Sequence, residues 1–237
     1  MNDQSLTLQS ILIISDASNI LTPQLIRRLG FSAADDAAVT ALNLETPNFS
    51  QVSDIFYDGY IHPLMTGRKA VENWIQEAGP SLLIGMGLGG LLALWACADW
   101  RDAPIRGVAA VGSTPHLEFL RDRHPYYHWP VASVKHTLSQ WDVSYKVPRI
   151  GSRAVLLLHG DNDHEIGSNW IEEFFLLATG VSRWPENWEY HRIAGLTHTW
   201  KQEEPATTEV GCYIQQFRKK LFRIGDAHAP GLGHPHQ

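Results

Sequence analysis

Three short stretches of the chain carry residue types that do chemistry. The first is Gly85-Met86-Gly87-Leu88-Gly89-Gly90, a glycine-rich turn that follows the apolar run 81–84. The second is His159-Gly160-Asp161-Asn162-Asp163, at the end of the apolar run 155–158. The third is Gly195-Leu196-Thr197-His198, about 35 residues after Asp163. A carboxylate that accepts a hydrogen bond from one imidazole nitrogen fixes the tautomer and leaves the other nitrogen to move protons near neutral pH. Asp163 and His198 have the right types for such a pair.

The glycine turn can be read two ways. As Gly85-x-Gly87-x-x-Gly90 it matches the dinucleotide fingerprint, which seats a pyrophosphate on a helix N-terminus. That reading needs an acid at the end of the next strand to bind a ribose hydroxyl. The next strand ends Val111-Gly112-Ser113, with no acid, and the turn follows two βα units instead of opening the chain. The second reading is the G-x-S-x-G elbow, in which a strained strand-to-helix turn lifts a nucleophile above the sheet. Gly85, Gly89 and Gly90 supply the small residues needed where strand and helix come close, and Gly87 stands in the serine position.

The downstream acid and histidine turns separate the two readings. Taken in the order elbow, H-G-x-x-D turn, G-x-x-H turn, the sequence resembles the α/β-hydrolase superfamily over about 10–222. The resemblance implies that Asp163 is the catalytic acid, His198 the base and Gly87 the vacated nucleophile position. It implies one oxyanion-hole donor at the Leu88 N–H. The second would come from the loop after the first strand, at Ala17, where Ser15-Asp16-Ala17-Ser18-Asn19 replaces the family's usual His-Gly. Met86, Ser113, Trp129 and Trp141 are assigned to substrate binding.

A dyad without a serine cannot form an acyl-serine intermediate. Loss of that nucleophile costs about 10⁶ in kcat in a serine protease. Three functional readings follow. His198 activates a water or takes a proton from a small acyl or carbonyl substrate, as a hydrolase, lyase, cyclase or isomerase would. Alternatively the domain is a binding or structural relative without turnover, or it is a serine hydrolase whose nucleophile has been substituted. Gly87→Ser, assayed on short acyl esters and thioesters, is the direct experiment on these readings. Ser113, Ser15 and Cys97 are rival nucleophiles, none on a turn that would expose and activate it. The group His159, Asp161, Asp163, His164 and Glu165 lacks a defined ligand spacing, so no metal and no cofactor are assigned.

The elements that must position these residues alternate along the chain. Strands are expected at 10–14, 38–44, 81–85, 106–112, 153–159 and 188–193, with helices at 23–29, 66–78, 88–99, 168–178 and 207–222. Continuous apolar strands separated by helices imply an α/β fold, a mostly parallel sheet covered on both faces. Its site belongs at the carboxyl ends of the strands. One domain spans 1–224. Within it, 113–152 is rich in aromatics and histidine and reads as a lid or cap insertion. Residues 225–237 form a Gly, Pro and His tail expected to be disordered.

Composition bounds the partners. The chain has 237 residues and a net charge of -6, with 44% hydrophobic and 19% charged residues. That charge disfavours a nucleic-acid partner, and the expected ligand is a small molecule, with a homo-oligomer allowed. The apolar run 82–98 is interrupted by glycines and reads as strand plus helix, with no membrane partner expected. Cys97 and Cys212 read as two buried thiols of a cytoplasmic protein.

Overall fold

The computed structural model describes residues 10–16, 19–32, 38–45, 54–118, 120, 131–200 and 205–227, the side chains of 131–135 and 222–227 excepted. Six strands form one parallel sheet: β1 (Ser10–Ser15), β2 (Ala38–Asn43), β3 (Ser81–Met86), β4 (Ile105–Val111), β5 (Ala154–Gly160) and β6 (Trp188–Ile193). Their spatial order is β2-β1-β3-β4-β5-β6. The helices are α1 (Pro23–Arg28), α2 (His62–Glu77), α3 (Leu88–Asp99), α4 (Val131–Trp141), α5 (Val147–Ile150), α6 (Ser168–Val181) and α7 (Pro205–Ala227).

Period-two alternation divides each buried strand between two cores. Leu12, Ile14 and Leu83 join a large cluster with residues of α2, α3, α5 and α6. Ile11, Ile13, Leu82 and Ile84 face the other way, onto Leu25 of α1 and Val210, Ile214 and Phe217 of α7. Both faces of the sheet are therefore covered, as the continuous apolar strands require. The edge strand β2 has no fully buried residue, only Val39 and Leu42 being half-buried, because one neighbour alone protects it.

The apolar run 82–98 divides between β3 and α3, and no helix among the described residues is long and apolar enough to cross a membrane. Every residue of α3 from Leu88 to Ala98 is buried. Such a helix must lie very close to the sheet, and glycines permit it. A Cβ on Gly89 would stand 2.4 Å from the carbonyl oxygen of Ile14, and one on Gly85 would stand 2.3 Å from that of Gly89. Backbone cannot give way as a flexible side chain can, so Gly89→Ala should destabilise the fold by about 1–3 kcal/mol. Denaturant unfolding checks this, and an unchanged midpoint would show that α3 can slide.

The stretch 113–152 is partly described. It contains α4, a short 3₁₀ turn at Ser144–Lys146 and α5. The Trp141 ring packs 5.0 Å from that of Trp95 on α3, and its side chain is in the core. At the other end of the chain α7 runs to Ala227, past the expected boundary at 222, and the tail beyond it lies outside the described residues. Cys97 is buried, but Cys212 is exposed on α7, which corrects the expectation of two buried thiols. An apolar helix need not hide every residue, and position 212 falls on the outward side of this one.

Candidate active site

Parallel strands deliver their C-terminal ends to one edge of the sheet, and the three chemical stretches meet there. Gly87 links β3 to α3 with φ 56° and ψ -123°, a region that costs an L side chain of order 1–3 kcal/mol. Its N–H donates to the Val111 carbonyl at 3.0 Å, which ties the turn to the end of β4. The elbow geometry is present, without a side chain on it.

Asp163 follows β5 in a tight turn. Its Oδ1 accepts from the backbone N–H of Glu165 (3.0 Å) and Ile166 (2.9 Å), and its Oδ2 accepts from His198 Nδ1 at 3.1 Å. Side-chain exposure is 1% for Asp163 and 5% for His198. The acid and histidine turns are stapled together by one backbone-to-side-chain and one backbone-to-backbone hydrogen bond. The Gly195 N–H donates to Asp161 Oδ1 at 2.7 Å, and the Asn162 N–H to the Leu196 carbonyl at 3.3 Å. Gly160 permits this approach, since a Cβ there would stand 2.0 Å from the Leu196 oxygen.

Electrostatics follow from the pairing. Burial alone would lower the His198 pKa, but the hydrogen bond and charge of Asp163, with smaller help from Asp16 and Glu165, raise it above its ordinary value. Burial alone would raise the Asp163 carboxyl, and the contacts with His198, Ile166 and His159 overcome it and hold the group low. His159 is kept neutral mainly by burial. Its Nε2 donates to the Ile166 carbonyl at 2.8 Å, so it supports the acid turn. Among the described residues no group of three His, Cys, Asp or Glu converges to hold a metal.

Asp16 is the residue that sequence reasoning passed over. It follows β1, is 6% exposed, and sends its carboxylate across to the elbow. The Leu88 N–H, the expected oxyanion donor, donates to Asp16 Oδ2 at 2.8 Å. A Cβ placed on Gly87 would stand 2.0 Å from that same oxygen. The carboxylate thus fills the space a serine side chain would need, at the N-terminal end of α3, where helix dipole and open N–H groups favour negative charge. Asn19 fixes the same loop against the histidine turn, donating to the His198 carbonyl (3.0 Å) and accepting from the Trp200 N–H (2.9 Å). The available signal was the acid at a position where the family resemblance calls for His-Gly.

The remaining assignments scatter. Met86 ends β3 fully buried in the α1/α7 core. Ser113 is fully buried beside the elbow, packed against Gly90, and its hydroxyl leans toward the Thr114 carbonyl (3.5 Å). The Ser15 hydroxyl is spent on the carbonyls of Asp16 and Asn19. Burial pushes the Cys97 thiol up to about 12, which leaves no thiolate at neutral pH. Ala17 and Trp129 lie outside the described residues. A cavity of about 990 Å³ opens at the opposite edge of the sheet, around Arg106, Arg153 and Trp184, away from all of these groups.

No family model matches the sequence, and no curated protein matches it. Solved structures do. TT1662 from Thermus thermophilus superposes with a TM-score of 0.66 at 16% identity, over 91% of this chain and 90% of its own. Est1E from Butyrivibrio proteoclasticus, with ferulic acid bound, gives 0.62 at 16% identity over 93% and 92%. The esterase domain of a Rhodothermus marinus protein gives 0.58 at 15% identity over 92% and 89%. At such identities the likeness shows the fold, and the fold is that of α/β-hydrolases.

Proposed function

We propose that this chain is an enzyme that acts on a small acyl or carbonyl substrate through the Asp163–His198 dyad, without a serine. The observation that carries this reading is the 3.1 Å contact from His198 Nδ1 to Asp163 Oδ2, buried at the carboxyl edge of the sheet beside an intact elbow turn. Asp163 keeps a proton on Nδ1 and so leaves Nε2 for substrate or water. That arrangement has a use in proton transfer and none in packing that an apolar pair would not serve as well.

The filled elbow supports a chemistry other than ordinary ester cleavage. An esterase needs both a nucleophile on the turn and an open oxyanion donor. Here Gly87 offers no nucleophile, and the Leu88 N–H is engaged by Asp16. The same contact speaks against a serine enzyme that has merely lost its nucleophile, because glycine at 87 and aspartate at 16 fit each other sterically.

The test is His198→Gln against wild type on short esters, thioesters and small carbonyl compounds. General acid–base catalysis contributes about 10²–10⁴, and a loss of that size is expected on every substrate the wild type turns over. Equal turnover by the two proteins would end the dyad reading. Since His198 titrates above its ordinary value, steps that use it as a base should speed up as pH rises past about 6.5. A rate that falls over the same range would assign the required form to the imidazolium.

A further inference from the structure

We propose that the arginine-lined cavity at the amino edge of the sheet binds a nucleoside polyphosphate, at a site separate from the dyad. The inference rests on this cavity alone and stands whether or not the dyad turns over a substrate.

The cavity, of about 990 Å³, lies at the starts of β4 and β5, between the segments that follow α3 and α6. Its charged lining is five arginines, Arg101, Arg106, Arg149, Arg153 and Arg183, against one acid, Glu186. In a chain with a net charge of -6 this is a local reversal of sign. Guanidinium groups gathered around one concave space focus a positive potential there and draw anions to it.

Helix C-termini offer a competing reason for arginines at this edge, since their open carbonyls attract cations. Arg153 answers to that reason. Its Nε donates to the Ile105 carbonyl at 3.0 Å, its Nη1 to that of Cys97 at 3.1 Å and its Nη2 to that of Trp100 at 3.1 Å. Those bonds fasten the end of α3 to the sheet. Arg101, Arg106 and Arg183 behave differently: among the described residues, no carbonyl or carboxylate accepts from their guanidinium groups. Arg149 is intermediate. Its Nη1 lies 3.2 Å from Asp99 Oδ1, while its Nε is buried and lacks a partner among the described residues. A buried donor without an acceptor is costly, and an anion held by Arg149 relieves that cost.

The placement of the charges selects phosphate. Arg101 follows α3, Arg106 starts β4, Arg149 is on α5 and Arg183 precedes β6, so the guanidinium forks reach the cavity from four elements. A single carboxylate satisfies one such fork, whereas linked phosphates offer oxygens in several directions at once. The volume is at the upper end of the roughly 300–1,000 Å³ usual for small-molecule sites, room for more than an inorganic anion. Trp184 supplies the place for an organic group. Its side chain is 36% exposed on the cavity lining, and its ring meets no other ring among the described residues. An open indole beside arginines is a surface on which a base stacks. Asn187 holds this wall in place by donating from Nδ2 to the Ser152 carbonyl at 2.8 Å, so little ordering is left for the ligand to impose.

The experiment is calorimetric titration of the full chain with ATP, pyrophosphate and adenosine, in the absence of divalent cations. One ATP should bind per chain, more tightly than either fragment, and its affinity should fall as salt is raised. Arg106→Glu and Arg183→Glu should each weaken ATP on the order of tenfold or more. Trp184→Ala should weaken ATP by about tenfold and leave pyrophosphate unchanged. The three side chains are exposed, so the variants should melt as wild type does, and the ligand comparison and salt series need no variant at all. Absence of ATP binding at millimolar concentration overturns the site, as does binding that both charge reversals leave intact. Pyrophosphate binding as tightly as ATP overturns the nucleotide assignment. ATP binding lost in His198→Gln but kept in the arginine variants would move it to the dyad and sink the proposal.

Discussion

Serine placed at position 87 alone should leave the protein without esterase activity, whereas Asp16→Gly combined with Gly87→Ser should exceed either single variant by about 10²–10³ on p-nitrophenyl acetate. The single substitution fails for two reasons. A Cβ at position 87 would stand 2.0 Å from Asp16 Oδ2, so serine and this placement of Asp16 exclude each other. The Leu88 N–H would also remain engaged, and loss of one oxyanion donor costs about that same 10²–10³. Removing the Asp16 carboxylate opens the space and the donor together, while Asp163 and His198 keep their geometry. The new serine still pays the strain of φ 56°, of order 1–3 kcal/mol, so both serine variants should melt lower than wild type. The outcome that sinks this account is full burst kinetics from Gly87→Ser alone, which would mean that Asp16 swings aside at little cost.

The experiment also shows where sequence reasoning reached its limit. From the sequence, Gly87 is an absence, and restoring serine is the obvious repair. The fold turns that absence into one half of a contact with a residue about seventy positions earlier. The strands, the parallel sheet and the order of the three chemical turns were legible because each rests on local patterning: apolar runs, glycine turns, acids and a histidine at strand ends. Gly85, Gly89 and Gly90 were read correctly as close-approach residues for the same reason. Asp16 was legible only as an acid in the place of the family's usual His-Gly, because nothing local distinguishes its partner from that of any acid in a turn after a strand. Its meaning comes from β1 and β3 lying side by side in the sheet, which brings the end of one to the elbow of the other. Trp141 depends on tertiary packing in the same way: its aromatic-rich neighbourhood does not tell that its ring packs against Trp95 of α3 in the core.

Asp163 is the second position where a single change should have a large effect. Asp163→Asn should lower any rate that depends on His198 by about ten-thousandfold, as loss of the orienting carboxylate does in a serine protease. The amide would present its NH₂ to Nδ1, forcing the ring proton onto Nε2 and removing the base. Asp163→Ala should cost about 3–5 kcal/mol of stability, the usual penalty for removing one member of a buried pair. It leaves His198 Nδ1 and the N–H groups of Glu165 and Ile166 without their acceptor. The pH dependence separates this pairing from simple packing. The depressed Asp163 carboxyl contributes stability that is present above its unfolded pKa near 4 and is lost as pH falls through its folded value. The raised His198 contributes stability that is present below its unfolded pKa near 6.5 and is lost as pH rises through its folded value. His159, lowered by burial, opposes this in acid, because its contribution is lost as pH falls below 6.5. The difference in melting temperature between wild type and Asp163→Ala should therefore narrow as pH rises well above 6.5 and again as it falls well below 4. A difference that stays constant with pH would reduce Asp163 to a packing residue, and the dyad would then lose its physical basis.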